Sequence, residues 1–245
     1  MHDLDDPNRI LSIRKTIERK KSLRTYYDKV YRDYVDCLHR CPRDGDILEL
    51  GSGAGYAKKF IPDLITSDIL PYEGIDKVVD ATNLPFPKDS LKLICMMNVF
   101  HHISNIDLFL DEVQRCLVSG GRLFIVDHHV GHISKFIIRN FHHEPFRPDA
   151  SEWKFDSAGP LSGANTALPW IVFVRDINQF KKRFPHLRLE SYIPHTPLWY
   201  WLSGGLKNWS LIPSSLFGFV TSIEDTLLRI STDFGSFVNI EIVKE

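Results

Sequence analysis

"LKLICMMNVF", residues 91 to 100, most limits what this chain can become. It is apolar almost throughout, so as a strand it needs cover on both faces, and such strands belong inside a parallel sheet. Four other short apolar runs carry a polar residue at or next to their ends: "ILEL" from 47, "LITSD" from 64, "KVVDA" from 77 and "RLFIVDHH" from 122. Between them lie helical or turn-like segments. "YAKKFI" starts a helix that Pro62 soon limits. "NIDLFLDEVQRCLV" is amphipathic: Leu108, Val113 and Leu117 can bury while Asp107, Asp111 and Glu112 face water, and "SGG" should end the helix. Strands alternating with crossovers make an α/β domain. The functional edge of such a sheet is where its strands end. Glu49, Asp68, Asp80, Asn98 and Asp127 all stand there.

The rest of the chain fits around that core. With 245 residues, 1–245 reads as a single domain: helical cover over 8–40, a cofactor-binding core over 45–130, a lid or substrate insert over 131–185, and a C-terminal sheet edge with an aromatic insert over 186–245. Residues 8–40 repeat apolar positions at helical spacing, as one or two helices. "LRLESYI" and "FVNIEIV" are the last strand candidates and could pair antiparallel. A net charge of −1 gives no reason to expect nucleic acid, although residues 9–40 carry ten Lys or Arg against four Asp or Glu. The four cysteines form no C-x-x-C and read as free thiols of a cytoplasmic protein, Cys37 and Cys41 included. "MHDLDDPNR" does not read as a signal peptide, and no apolar run is long enough for a transmembrane segment.

"ILELGSGAGYAKKF" raises the question of a cofactor. Gly51, Gly53 and Gly55 let backbone approach a ligand closely, and the amides opening the next helix would face it. The spacing is G-x-G-x-G, whereas a dinucleotide loop needs G-x-G-x-x-G. Asp68 can take two ribose hydroxyls, Asp80 an adenine amino group with the Ala81 amide nearby, and Glu49 a ligand amine. Ribose, adenine and amine in one crevice suggest S-adenosylmethionine.

"ILELGSGAG", "TSDI", "DATNLPFPKDSLKLICMMNVFHHI" and "LDEVQRCLVSGGRLFIVDHH", taken in order, resemble the class I S-adenosylmethionine-dependent methyltransferases, especially their small-molecule branch. The resemblance covers residues 45 to 130. It implies a Rossmann-like, seven-stranded, mostly parallel sheet with helices on both faces and a final antiparallel hairpin. It also implies S-adenosyl-L-methionine as cofactor, held by Glu49, Gly51, Ser52, Gly53, Gly55, Asp68, Ile69, Asp80, Ala81 and Asn98. One departure stands out. Few residues separate "TSDI" from "KVVD", so the helix usual between the second and third strands is missing or reduced to a turn.

The implied activity is methyl transfer to a small-molecule or glycan-like acceptor. An NAD-dependent oxidoreductase and a non-catalytic scaffold on the same fold are the alternatives. Histidines cluster at the strand ends, in the right titration range for acid–base work. His102, His101, Asp127 and His128 are the catalytic candidates; His129 is a weaker one, and His142, His143 and Glu144 could close over the cleft. No compact ligand pattern such as H-E-x-x-H occurs, so no metal is expected. Tyr26 and Tyr27 could reach the methionine end, and Ser162, Asn165 and Thr166 suit a hydroxylated acceptor. The segment 196–220 is rich in aromatics. Packing, within the chain or in a homodimer, is the expectation, with peripheral membrane contact the alternative.

Overall fold

The computed structural model describes residues 9–142, 144–157, 159 and 162–245. Seven strands form one sheet: β1 (Asp46–Leu50), β2 (Leu64–Asp68), β3 (Lys77–Val78), β4 (Leu91–Met97), β5 (Leu117–His128), β6 (Leu187–His195) and β7 (Phe237–Lys244). Their order is β3-β2-β1-β4-β5-β7-β6, with β7 antiparallel to both of its neighbours and the other pairs parallel. Side chains alternate across the sheet. Leu48, Leu50, Ile94, Met96, Leu123 and Ile125 face one core, and Ile47, Leu93, Cys95, Phe124 and Val126 face the other. That two-sided burial is why "LKLICMM" has no polar face.

Two helices open the chain, α1 (Arg9–Arg19) and α2 (Lys21–Leu38). The helix α3 (Ile106–Cys116) follows β4, with Asn105 Oδ1 accepting from the Leu108 amide as its cap (3.2 Å). After β5 come α4 (His132–Phe141), α5 (Leu168–Trp170), a π turn (Ile171–Arg175) and α6 (Ile177–Arg183), then α7 (Trp199–Leu202) and α8 (Phe217–Ile230).

Four expectations need correction. "YAKKFI" forms only a 3-10 turn, Ala57–Lys59, because too few residues precede Pro62 for a helix to propagate. Its place on the sheet is filled by α2, whose Tyr31, Tyr34 and Cys37 pack with Ala57, Ile61 and Leu64. Next, "SGG" does not end α3. The helix stops at Cys116, Leu117 already pairs with Leu91, and the glycines lie in a register shift before Arg122 pairs with Leu93. Third, Leu108 faces solvent, and Ile106, Phe109, Leu110 and Val113 make the buried stripe. Last, the lid expected over 131–185 is too long. Leu168, Ile171, Val172, Phe173 and Phe180 are buried in the main core, so α5 through α6 are structural.

Other expectations match. No helix lies between β2 and β3, the final two strands pair antiparallel, and no helix among the described residues is long and apolar enough to cross a membrane. The aromatic segment divides. Trp199 donates to the Ser22 carbonyl (3.0 Å) and packs on Phe217, while Tyr200 and Trp201 pack on Phe237. Trp209, Leu211, Leu216 and Phe219 are exposed.

Candidate active site

β1 ends in a turn that brings its glycines against neighbours. Gly51 and Gly53 adopt φ +69 and +45, the left-handed region. A Cβ on Gly55 would lie 2.5 Å from the Tyr31 hydroxyl and 2.8 Å from the Ser52 carbonyl oxygen. The turn is thus closed from above by α2, where Tyr31 Oη also accepts from the Tyr56 amide (3.2 Å). The floor comes from the strand ends. Gly53 N–H donates to Asp68 Oδ2 (3.0 Å), tying the loop to β2.

A cavity of ≈ 270 Å³ sits on this edge. Every residue assigned to the cofactor lines it: Glu49, Gly51, Ser52, Gly53, Gly55, Asp68, Ile69, Asp80, Ala81 and Asn98. Glu49 is buried, its Oε2 has no hydrogen-bond partner among the described residues, and burial raises its pKa to about 7 against a weaker lowering by Ser52. An orphaned buried carboxylate oxygen in a cavity wall fits a ligand ammonium. Burial also raises the pKa of Asp68, against amide hydrogen bonds from Leu70, Gly53 and Ile69. Its carboxylate has acceptor sites beyond those amides for a ribose diol. Asp80 is exposed, and its Oδ1 accepts from the Thr82 amide and hydroxyl (both 2.8 Å), which fixes the rim. Asn98 is held at φ +54, and its buried Oδ1 is unpartnered among the described residues. S-adenosylmethionine fits this set of lining residues.

Sequence reasoning missed part of this wall. Ile10 and Ile13 of α1, Tyr31 of α2, Tyr72, Val99 and Leu206 also line the cavity. For Ile10 and Ile13 the signal was the helical spacing of apolar residues in the cover. Of the two tyrosines singled out, Tyr27 reaches the cavity, while Tyr26 is buried against Tyr200 and Phe237.

A second cavity, ≈ 740 Å³, adjoins the first. Ile13, Asn98, His102 and Leu206 line both. Its other walls are largely aromatic and apolar: Trp201, Tyr200, Phe237, Ile137, Phe141, Trp209 and Leu211. Lys20 Nζ donates to the carbonyls of Gly205 (2.6 Å), Lys207 and Trp209 (both 3.0 Å), which holds the 204–209 turn between the cavities.

Polar groups collect at one end of this cavity. His101 and His102 form a 3-10 turn after β4. Asp127, fully buried on β5, has Oδ1 2.6 Å from His101 Nδ1 and accepts from the backbone amides of His101 (3.2 Å) and His128 (2.6 Å). Glu144 faces both rings, at 3.2 Å from His101 Nε2 and 3.4 Å from His102 Nε2. Burial lowers the pKa of His101, but the Asp127 charge and hydrogen bond, with those of Glu144, raise it further, to about 10. His128 is the opposite case: burial and the His101 charge push it down to about 3, so it is neutral and stacks on Phe237 and Trp201. Asp127 thus holds the His101 ring from behind, and His128 lines the cavity. His129 turns away to the Tyr192 hydroxyl (2.9 Å). His142 joins the cavity wall, and His143 lies outside the described residues. Two polar residues expected to meet an acceptor are engaged elsewhere. Asn165 exchanges hydrogen bonds with the Arg147 backbone (3.0 and 3.1 Å), and the Thr166 hydroxyl donates to the Pro145 carbonyl (3.2 Å).

Comparison with known proteins agrees with this geometry. Residues 23–160 match the family model of the methyltransferase domain. An uncharacterized methyltransferase, YcgJ of Bacillus subtilis, is 30% identical over 108 residues, which are 36% of this chain. The chain thus spans less than half of that relative, 43%. Among solved structures, geranyl diphosphate C-methyltransferase from Streptomyces coelicolor is similar with TM-score 0.56 at 12% identity, over 91% of this chain and 82% of that one. A chain from the complex between the Haloferax volcanii Trm112 methyltransferase activator and the putative methyltransferase gives 0.50 at 15%, over 91% and 93%. These two likenesses concern the fold alone. The family match covers more than half of the chain and includes the glycine turn, Asp68, Asp80 and Asn98, in the order that the fold requires: the chain belongs to the methyltransferase-domain family.

Proposed function

We propose that this protein moves a methyl group from S-adenosylmethionine to a small acceptor with an apolar body and one polar head. One observation carries the reading: the cavity that suits the cofactor and the larger aromatic cavity share Asn98 and His102 as common wall. When bound, the cofactor supplies an electrophilic methyl carbon on a sulfonium. Transfer needs the acceptor atom about 3 to 3.5 Å from that carbon, so most of the work is positioning. Asp68 and the glycine turn orient the cofactor's ribose end, and Glu49 its amine. Trp201, Tyr200 and Phe237 hold the acceptor body. His102, which lines both cavities, takes the proton of an acceptor hydroxyl through Nε2, since Nδ1 is already committed to the Gly163 carbonyl (2.9 Å). Glu144 stabilises the imidazolium that results.

A cavity of this size falls in the usual ligand range of about 300 to 1,000 Å³. Its aromatic walls favour an apolar acceptor over a glycan, because Asn165 and Thr166 are bonded to backbone. The test is a panel of aromatic, aliphatic and sugar hydroxyl compounds incubated with S-adenosylmethionine and read by mass spectrometry for the gain of one methylene. Aromatic or aliphatic compounds should gain it. Turnover of free sugars alone would overturn the acceptor class.

A further inference from the structure

We propose that His101, His102 and Glu144 bind one divalent transition-metal ion at the polar end of the acceptor cavity. The argument starts from protons. His101 Nδ1 faces the Asp127 carboxylate at 2.6 Å, and His102 Nδ1 faces the Gly163 carbonyl at 2.9 Å. Both partners are acceptors only, so both Nδ1 atoms carry hydrogen. With Nδ1 so committed, Nε2 is the atom each ring can offer to a ligand, and both Nε2 atoms face the same carboxylate, Glu144, at 3.2 and 3.4 Å. Three electron-pair donors thus converge, with all ligand atoms within 4.8 Å of one another.

A proton on each Nε2 would set two imidazolium ions side by side, their ring centroids 4.2 Å apart. Two adjacent imidazolium ions repel, whereas one divalent ion satisfies all three donors at once. The spacing suits it. Ligands about 2.0 to 2.1 Å from an ion, at tetrahedral to octahedral angles, lie roughly 2.8 to 3.4 Å apart. Two imidazoles and a carboxylate suit zinc, manganese or ferrous iron. The outer contacts are those of a metal-bound histidine: Asp127 behind His101 and a backbone carbonyl behind His102 fix each ring and its tautomer. His101 is 1% exposed, so its Nε2 has few alternatives.

All three residues line the acceptor cavity, so the remaining coordination positions open toward it. With the ion in place, His102 keeps its lone pair on the metal, and the ion instead favours the deprotonated form of an acceptor oxygen. Binding of the ion itself does not depend on the methyl-transfer reading.

The experiment uses the full chain stripped of metal by a chelator, with Zn²⁺ and separately Mn²⁺ titrated in calorimetry. One ion per chain should bind. Glu144→Gln, which leaves the cofactor cavity untouched, should weaken that binding at least tenfold while S-adenosylhomocysteine still binds as in the parent. Asp127→Asn, checked for folding by its thermal melt, should weaken it about 10- to 100-fold by loosening His101. Co²⁺ should give a visible absorption band that the Glu144→Gln protein loses. Absence of stoichiometric binding in a protein that still binds S-adenosylhomocysteine would overturn the proposal, as would equal affinity in the parent and the Glu144→Gln variant.

Discussion

Three side chains at the cavity edge make separate demands. In the proposed site Asp68 would take a ribose diol, and its Oδ2 already accepts the Gly53 amide. Removing it costs both, and a lost hydrogen bond to a charged group costs about 1.5 to 3 kcal/mol. Asp68→Ala should therefore bind S-adenosylhomocysteine at least roughly tenfold more weakly by calorimetry. Glu49 gives a pH signature. Its folded pKa is raised to about 7 from 4.5, so between those values the native protein holds a proton that the unfolded chain releases. Stability of the cofactor-free protein should fall as pH rises through that window. Cofactor affinity should rise over the same approach to pH 7, because the ammonium favours ionised Glu49. In Glu49→Gln both slopes should flatten; a slope unchanged by the substitution would remove Glu49 as its source. For His102→Ala, the chemical step should drop about 10²-fold with cofactor affinity retained. A loss below threefold at every pH, measured in single turnover with an active acceptor, would make His102 peripheral.

At the scale of elements, the cofactor edge rests on a substitution of one helix for another. The segment after the glycine turn is too short to shield the sheet, and α2 supplies Tyr31, Tyr34 and Val30 to that face instead. Tyr34 is fully buried and packs edge-on against Phe124 of β5. Tyr34→Ala should lower stability by about 3 to 5 kcal/mol in denaturant unfolding, as loss of a core aromatic does. The sequence made the strands legible because each is a short apolar run with a polar residue at or next to its end, and that same rule located Glu49, Asp68, Asp80 and Asn98. It did not show what replaces the missing helix, because Tyr31 and Gly55 are far apart in the chain and meet only by packing. Glu144 was visible as one member of "FHHEPF", but nothing local aims its carboxylate at His101 and His102. The error at "SGG" has a similar cause: glycine serves a helix end and a strand bulge equally well, and only the pairing of Leu117 with Leu91 decides.

Across the whole molecule, the cofactor cavity draws its walls from both ends of the chain, Ile10 at one and Leu206 at the other. The cover is pinned from still further away. Arg40, just after α2, reaches Glu241 on β7 at 2.7 Å, Glu241 also pairs with Arg122, and Lys20 clamps the carbonyls of the 205–209 turn. The cover therefore gains its last contacts only when β7 is in place, although α2 also packs on Ala57, Ile61 and Leu64. Closing the long loop between Arg40 and Glu241 is a slow part of assembly. Pulse-labelled hydrogen exchange during refolding should find the β1, β4 and β5 amides protected before those of α2. Protection of α2 as early as β4 would contradict that order. The cofactor cavity thus gains its full wall only when the turn at Leu206 has come to lie against Ile10.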